Sequence, residues 1–432
     1  MKFYSTKQQT PPVSLREAVL KGLPADNGLF MPEHIPALPN DFLKNLENFS
    51  LQQIAYRVAA NFLGEDVPAQ DLERIVYEAI NFPAPLVSLS ENLHILELFH
   101  GNTLAFKDFG ARFMAQLMGY FVKDDKNTLE ILVATSGDTG SAVAHGFLNV
   151  PDINVTVLYP KGKVSNFQEK QFTTLGNNIT ALEIDGTFDD CQALVKQAFL
   201  DKELNEKLRL SSANSINIAR LIPQAFYYFE AYKQIKNKQK PTVFVVPSGN
   251  FGNLTAGLLA KRMGLPISQF VAATNANDVV PTYLSSGTYQ PRLSVQTISN
   301  AMDVGNPSNF ARMVDLFGEV DKMRNEIKGY AFSDEQTKRA MSEVKEKYNY
   351  IIDPHGAVGY LALKSYMNEL GEDINGIVLE TAHPVKFAEV VSPQIGEEVA
   401  IPERMRYLLE KEKMSIPMSA NFEDFKTFLM KK

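Results

Sequence analysis

Cysteine is nearly absent from this sequence: Cys191 is the only one in 432 residues. That excludes an internal disulfide and any cysteine-based metal cluster, and leaves the chain with no need of an oxidising compartment. An excess of basic residues is missing as well. With 43 Lys and Arg against 50 Asp and Glu, the formal net charge is -7, which argues against nucleic acid as a partner. No run approaches the roughly 18 apolar residues of a membrane span. The opening MKFYSTKQQTPPVSLREAV places polar and charged groups where a signal peptide needs an apolar core. A cytoplasmic protein with no membrane partner is therefore expected. The six histidines, at positions 34, 94, 100, 145, 355 and 383, show no HxxxH spacing, so no metal is expected either.

What is present is ordinary globular material, 45% hydrophobic and 22% charged, long enough for two or three domains. Residues 1–95 read as a mainly helical N-terminal domain. They show helical periodicity in Leu51–Phe62 and Asp71–Asn81, proline-rich breaks, and a turn at Gly28–Pro32. Short Val- and Ile-rich runs then alternate with helical stretches. Strands are predicted at Leu129–Ala134, Asn154–Leu158, Ile179–Ile184, Val243–Val246, Phe270–Thr274 and Ile377–Leu379. Helices are predicted at Gly140–Phe147, Asp189–Phe199, Ala219–Ile235 and Leu254–Met263. Continuous apolar strands separated by helices point to parallel sheets covered on both faces. The fold expected is α/β: two doubly wound parallel-sheet domains, 96–210 and 211–432, with a cleft between them and the chain free to cross from one to the other. Part of the long connection Asn300–Gly329 is expected to form an active-site flap.

Such sheets bind ligands at the carboxyl ends of their strands, so the turns there carry the candidates. Ser136, Gly137, Asp138 and Thr139 open a helix after Leu129–Ala134; hydroxyls and N–H groups there suit an anion, or simply cap the helix. Gly249, Asn250, Phe251 and Asn253 follow Val243–Val246 and suit a phosphate, without the spacing of a Walker A loop or of GxGxxG. Thr381 follows Ile377–Leu379, and Asn217 and Arg220 lie at a further helix start, where an arginine fork suits a phosphate. Upstream, Lys107 stands among Leu104, Ala105, Phe106 and Phe109. A lysine there either snorkels from a helix start or, losing its proton to burial, becomes an amine able to form a Schiff base. A reactive lysine with two anion-binding turns fits a pyridoxal-phosphate enzyme.

HGNTLAFKDFGARF, ATSGDTGSAVAH, NSINIARL, PSGNFGNLTAGLLAK, SNAMDVGNPSNFAR and TAHPVKF, in this order, resemble the threonine synthase family in its longer form. That family belongs to the tryptophan-synthase-β-like group of pyridoxal-phosphate enzymes. The resemblance covers nearly the whole chain, including NGLFMP near the start. It implies that Lys107 binds pyridoxal 5'-phosphate covalently, that Gly249, Asn250, Phe251 and Asn253 hold its phosphate, and that Thr381 meets its ring nitrogen. Ser136, Gly137, Asp138 and Thr139 would face the amino-acid end of the substrate, and Asn217 and Arg220 its phosphate. The implied reaction converts O-phospho-L-homoserine and water to L-threonine and phosphate by γ-elimination and β-addition, the last step of threonine biosynthesis, in a monomer or small homo-oligomer. Asn253 stands where relatives often have aspartate, and Glu380 where they often have glycine. The rival readings are a threonine or serine dehydratase or a cysteine synthase of the same fold, and a non-catalytic regulator that keeps the fold.

Overall fold

The computed structural model describes residues 1–123, 125, 127–371 and 373–432. Its larger sheet runs, in spatial order, Ile327–Ala331, Gln269–Thr274, Thr242–Pro247, Asn375–Glu380, Leu93–Glu97 and Leu86–Ser88, all parallel except the last. Thr242–Pro247 and Asn375–Glu380 are buried at every residue, as strands covered on both faces must be. The smaller sheet is wholly parallel, in the order Ser415–Ser419, Ile179–Asp185, Ile153–Pro160, Leu129–Ala134 and Arg209–Ser212. Both sheets are α/β layers of the expected kind.

Each strand read from an apolar run is present, with Leu129–Ala134 at its expected bounds. The strands the sequence did not reveal are shorter or more polar. Leu93–Glu97 carries His94 and Glu97, and Ser415–Ser419 contains Pro417, which is tolerated because that strand lies at the sheet edge. These hidden strands also tie together segments on either side of the divisions at 95/96 and 210/211. Leu86–Ser88 and Leu93–Glu97 sit in the larger sheet, across the 95/96 division. Arg209–Ser212 straddles 210/211, and Ser415–Ser419 with the helix Phe422–Met430 joins the smaller unit, where Phe425 and Leu429 share a core with Leu132 and Leu158. Strand partners are chosen by long-range pairing, which local periodicity does not encode.

Three local expectations are corrected. The turn at Gly28–Pro32 contains a strand, Phe30–Pro32, paired with Lys2–Ser5 in a small antiparallel sheet with Val13–Ser14. Pro32 conceals it in the sequence. The single helix Ala219–Ile235 is instead Ile218–Leu221, a 3-10 turn Ile222–Ala225 and Phe226–Gln234, because Pro223 cannot continue the α-helical ladder. Asn300–Gly329 is no open connection: it holds the helices Phe310–Phe317 and Val320–Glu326 and enters the strand Ile327–Ala331. Helices of two turns are too short for periodicity to reveal. The helices Leu51–Leu63 and Ala69–Ala79 match expectation, the first opened by a Ser50–Gln53 capping box. No helix among the described residues is long and apolar enough to cross a membrane.

Candidate active site

Lys107 opens the helix Lys107–Val122, and the approach to it is held by its own neighbours. Asp108, fully buried, accepts hydrogen bonds from the N–H and hydroxyl of Thr103 at 2.8 and 2.7 Å, which closes the turn before the helix. Burial pushes the Asp108 carboxyl upward, and the Thr103 hydrogen bonds oppose it. The same segment is stitched to the end of the larger sheet. Phe106 N–H donates to Thr381 O at 2.9 Å, His383 N–H donates to Leu104 O at 3.0 Å, and Ala105 bridges Ala382. Sequence-distant Lys107 and Thr381 are thus fixed neighbours.

On the other side stands Asp138, first residue of the helix Asp138–Phe147. Its Oδ2 lies 3.7 Å from Lys107 Nζ. Its Oδ1 accepts from Lys386 Nζ at 2.7 Å and from Gln168 Nε2 at 2.8 Å. Lys386 is fully enclosed and donates also to Thr103 O at 2.7 Å and Gln171 Oε1 at 3.0 Å. Burial drives Lys107 toward its neutral form; Asp138 opposes this, and the nearby cations Arg220 and Lys386 reinforce it. Burial alone would raise Asp138, but Lys386 and Lys107 outweigh it and hold the carboxyl well below the usual range. Lys386 is the residue sequence reasoning missed: it sits within the TAHPVKF turn, and only the fold brings it to Asp138. Gly137, at φ +142°, is required here, since a Cβ would stand 2.7 Å from Gln168 Nε2. Thr135 Oγ1 accepts from the N–H groups of Gly137 and Gly140, so Ser136 and Thr139 are left as the exposed and half-buried hydroxyls of the turn.

The turn after Thr242–Pro247 opens the helix Gly252–Arg262 through Phe251 at φ +59°. The N–H groups of Gly249, Asn250 and Phe251 donate to no acceptor among the described residues. Side chains brace this turn from behind. Asn250 Nδ2 donates to Ser215 Oγ at 2.7 Å, and its Oδ1 accepts from Ser308 N–H at 2.5 Å. Asn253 Nδ2 donates to Pro247 O at 2.8 Å. A Cβ on Gly249 would meet Ala301 O at 2.6 Å, so this close approach of two backbones admits only glycine. Three unengaged N–H groups at a helix N-terminus fit a phosphate, and a lysine pushed toward its neutral form fits an aldehyde. The residues present therefore fit pyridoxal phosphate.

Arg220 is 2% exposed. Its Nη1 donates to Ala213 O at 2.8 Å, while its Nε has no partner. Burial pushes the guanidinium down to about 10, with Asp108 working the other way. A buried cation with an unused N–H suits an anion arriving from outside the chain. Asn217 differs. Its Nδ2 donates to Val19 O at 2.9 Å and its Oδ1 caps Ala219 N–H at 2.9 Å, so its amide serves the helix that carries Arg220.

Glu380, just before Thr381, is also fully buried. One oxygen accepts from Asp353 N–H at 2.7 Å and the other has no partner. Burial, with Asp353 and Glu97 nearby, raises the carboxyl well above its ordinary value. His355 bonds Asp353 at 2.5 Å, and no group of three or more His, Cys, Asp or Glu among the described residues could hold a metal.

Known proteins match this arrangement along its whole length. The model of a family described as pyridoxal-phosphate dependent enzyme covers residues 80–380. Models described as threonine synthase N terminus and threonine synthase, C-terminal, cover 2–80 and 356–429. The threonine synthase of Serratia marcescens is 46% identical over 431 residues, covering 100% of this chain and 99% of that protein. That of Haemophilus influenzae is 46% identical over 432 residues, covering 100% of both. Among solved structures, threonine synthase from Escherichia coli superposes with TM-score 0.91 at 44% identity over 100% of both chains. PLP-bound threonine synthase from Brucella melitensis gives TM-score 0.95 at 35% identity, over 99% of this chain and 98% of that one. Similarity of this extent, in sequence and in fold, places the chain in the threonine synthase family of pyridoxal-phosphate-dependent enzymes.

Proposed function

We propose that this chain converts O-phospho-L-homoserine and water to L-threonine and phosphate, with pyridoxal phosphate carried on Lys107. One observation supports the reading above the rest: together with a lysine pushed toward its neutral form, the chain holds two separate anion sites, the free N–H groups of Gly249, Asn250 and Phe251 and the unpaired Nε of buried Arg220. A dehydratase or cysteine synthase needs only the first. When bound, the cofactor would supply an electron sink for the carbons next to the substrate's amine.

The rest falls to the protein. Gly249, Asn250, Phe251 and Asn253 hold and brace the cofactor's phosphate, and Thr381, fixed beside Phe106, meets the ring nitrogen. Ser136, Gly137, Asp138 and Thr139 receive the substrate's carboxylate end. The Lys107 amine would take the proton from the substrate's Cα and carry the proton lost at Cβ to Cγ, a task suited to an amine whose proton affinity burial has lowered. Arg220 holds the substrate's phosphate and stabilises it as it leaves from Cγ, before water adds at Cβ. Asn217, its amide already committed, positions the helix that carries Arg220.

Purified protein supplied with pyridoxal phosphate and O-phospho-L-homoserine should release threonine and phosphate one for one. Ketoacid from threonine, with no phosphate released from the phosphorylated substrate, would hand the role to the dehydratase reading. Arg220→Met should lower kcat/KM by roughly 100-fold through loss of a charged hydrogen bond, read mainly in KM. Its thermal stability should be kept or raised, because the variant removes a buried cation that has no carboxylate partner. An unchanged KM would remove Arg220 from the substrate site. A cytoplasmic location and a monomer or small homo-oligomer belong to the same proposal; cell fractionation and light scattering check them.

A further inference from the structure

Beside the same turn lies a polar side chain that the motifs did not single out. Asn309 is fully buried at the start of the helix Phe310–Phe317, and its Nδ2 has no partner. The amide cannot be turned over. Arg312 Nη1, which can only donate, bonds Asn309 Oδ1 at 2.7 Å, so the NH2 group must face the other way. That way is the cofactor turn: a Cβ placed on Gly252 would stand 3.4 Å from Asn309 Nδ2. The neighbouring residue is fastened to the same turn, since Ser308 N–H donates to Asn250 Oδ1.

Arg312 is itself rigid. Fully buried, it donates to Phe30 O at 2.9 Å and to Ile216 O at 2.7 Å, and none of these partners is an acid. Burial pushes its guanidinium down to about 9, with Asp315 opposing. A buried positive charge and an unused N–H group therefore sit behind a helix start whose own N–H groups are free, and both are satisfied by an anion there.

We propose that Asn309 is a further ligand of the cofactor's phosphate, its Nδ2 donating to the anion held at Gly249–Phe251. The proposal rests on the cofactor reading above. Because Arg312 reaches Phe30, it also ties the small N-terminal sheet to the phosphate site.

The test compares two aldehydes on the full chain stripped of cofactor: pyridoxal phosphate, and pyridoxal, which lacks the phosphate. Imine formation with Lys107 is followed by absorbance. Asn309→Asp keeps the acceptor that Arg312 needs, so the fold is retained, and replaces the donor by a carboxylate oxygen aimed at the anion. It should raise the dissociation constant for pyridoxal phosphate by roughly 100-fold, and Asn309→Ala by about 10-fold, with pyridoxal changed by no more than about twofold. An equal loss for both aldehydes marks a purely structural role and overturns the proposal. So does unchanged binding of both. A raised KM for O-phospho-L-homoserine with pyridoxal phosphate binding intact assigns the donor to the substrate's phosphate and overturns it too. A wild-type chain that forms no imine with either aldehyde refutes the cofactor reading itself, and this proposal with it.

Discussion

Lys107→Ala is expected to remove both the visible absorption of the reconstituted protein and its turnover, with kcat lowered by at least roughly 1,000-fold. The lysine would supply two things that no neighbour can replace, the covalent link and the amine that carries protons at the substrate. Lys386 is too tightly held to substitute, with Asp138, Thr103 and Gln171 all accepting from its ammonium. Folding should survive, because the ion pair this substitution removes is a long one, 3.7 Å from Lys107 Nζ to Asp138.

The pH dependence of stability should change in a defined direction. Native Lys107 is pushed toward the neutral form, so the unfolded chain binds more protons there. This group therefore makes stability rise with pH from its lowered native value up to the unfolded lysine value of about 10.4. Denaturant titrations at neutral and mildly alkaline pH should show a shallower rise in Lys107→Ala than in the wild type. A variant that keeps its absorption band would refute the assignment of Lys107.

The second large effect belongs to Lys386→Met. The substitution removes one partner of a buried ion pair and leaves Asp138, 7% exposed, with the neutral Gln168 amide at 2.8 Å and, as its remaining cation, Lys107 at 3.7 Å. Stranding a buried charge costs about 3–5 kcal/mol, and denaturant unfolding should show a loss of that order. Part of it should return in the double variant Lys386→Met with Asp138→Asn, which leaves no charge to compensate; a coupling below about 0.5 kcal/mol would mean the two residues act independently. Activity should fall as well. Asp138 freed from Lys386 pairs with Lys107 and strengthens its hold on a proton, so the amine is less available near neutral pH.

The acid limb carries the same signature. Asp138 is depressed in the native state, so its stabilisation is complete above the unfolded aspartate value of about 3.9 and is lost as pH falls below it. The variant should show a smaller loss of stability over that acid range than the wild type.

Much of the site is legible in the sequence because its parts are local. Glycines at positive φ or at close backbone approaches, such as Gly137 and Gly249, mark turns that no other residue fits, and they mark them in the sequence. Apolar neighbours around Lys107 foretell its burial in the same way. Asn217 is ambiguous in the sequence for an equally physical reason. An asparagine before a helix reads alike whether it meets a ligand or caps the helix, and its bond to Val19 O comes from a distant segment.

The sequence by itself determined the α/β class, the central strands of both sheets, the order of the turns and the burial of Lys107, since each depends on the size, polarity or backbone freedom of adjacent residues. Only the tertiary structure decided the rest. It placed Lys386 on Asp138, fixed the direction of the Asn309 amide through Arg312, raised the Glu380 carboxyl above its ordinary value, and sent the last strand, Ser415–Ser419, back to the smaller sheet. Those outcomes depend on which remote segments pack together and on the charge that burial leaves uncompensated, and neither quantity is a property of any local stretch of chain.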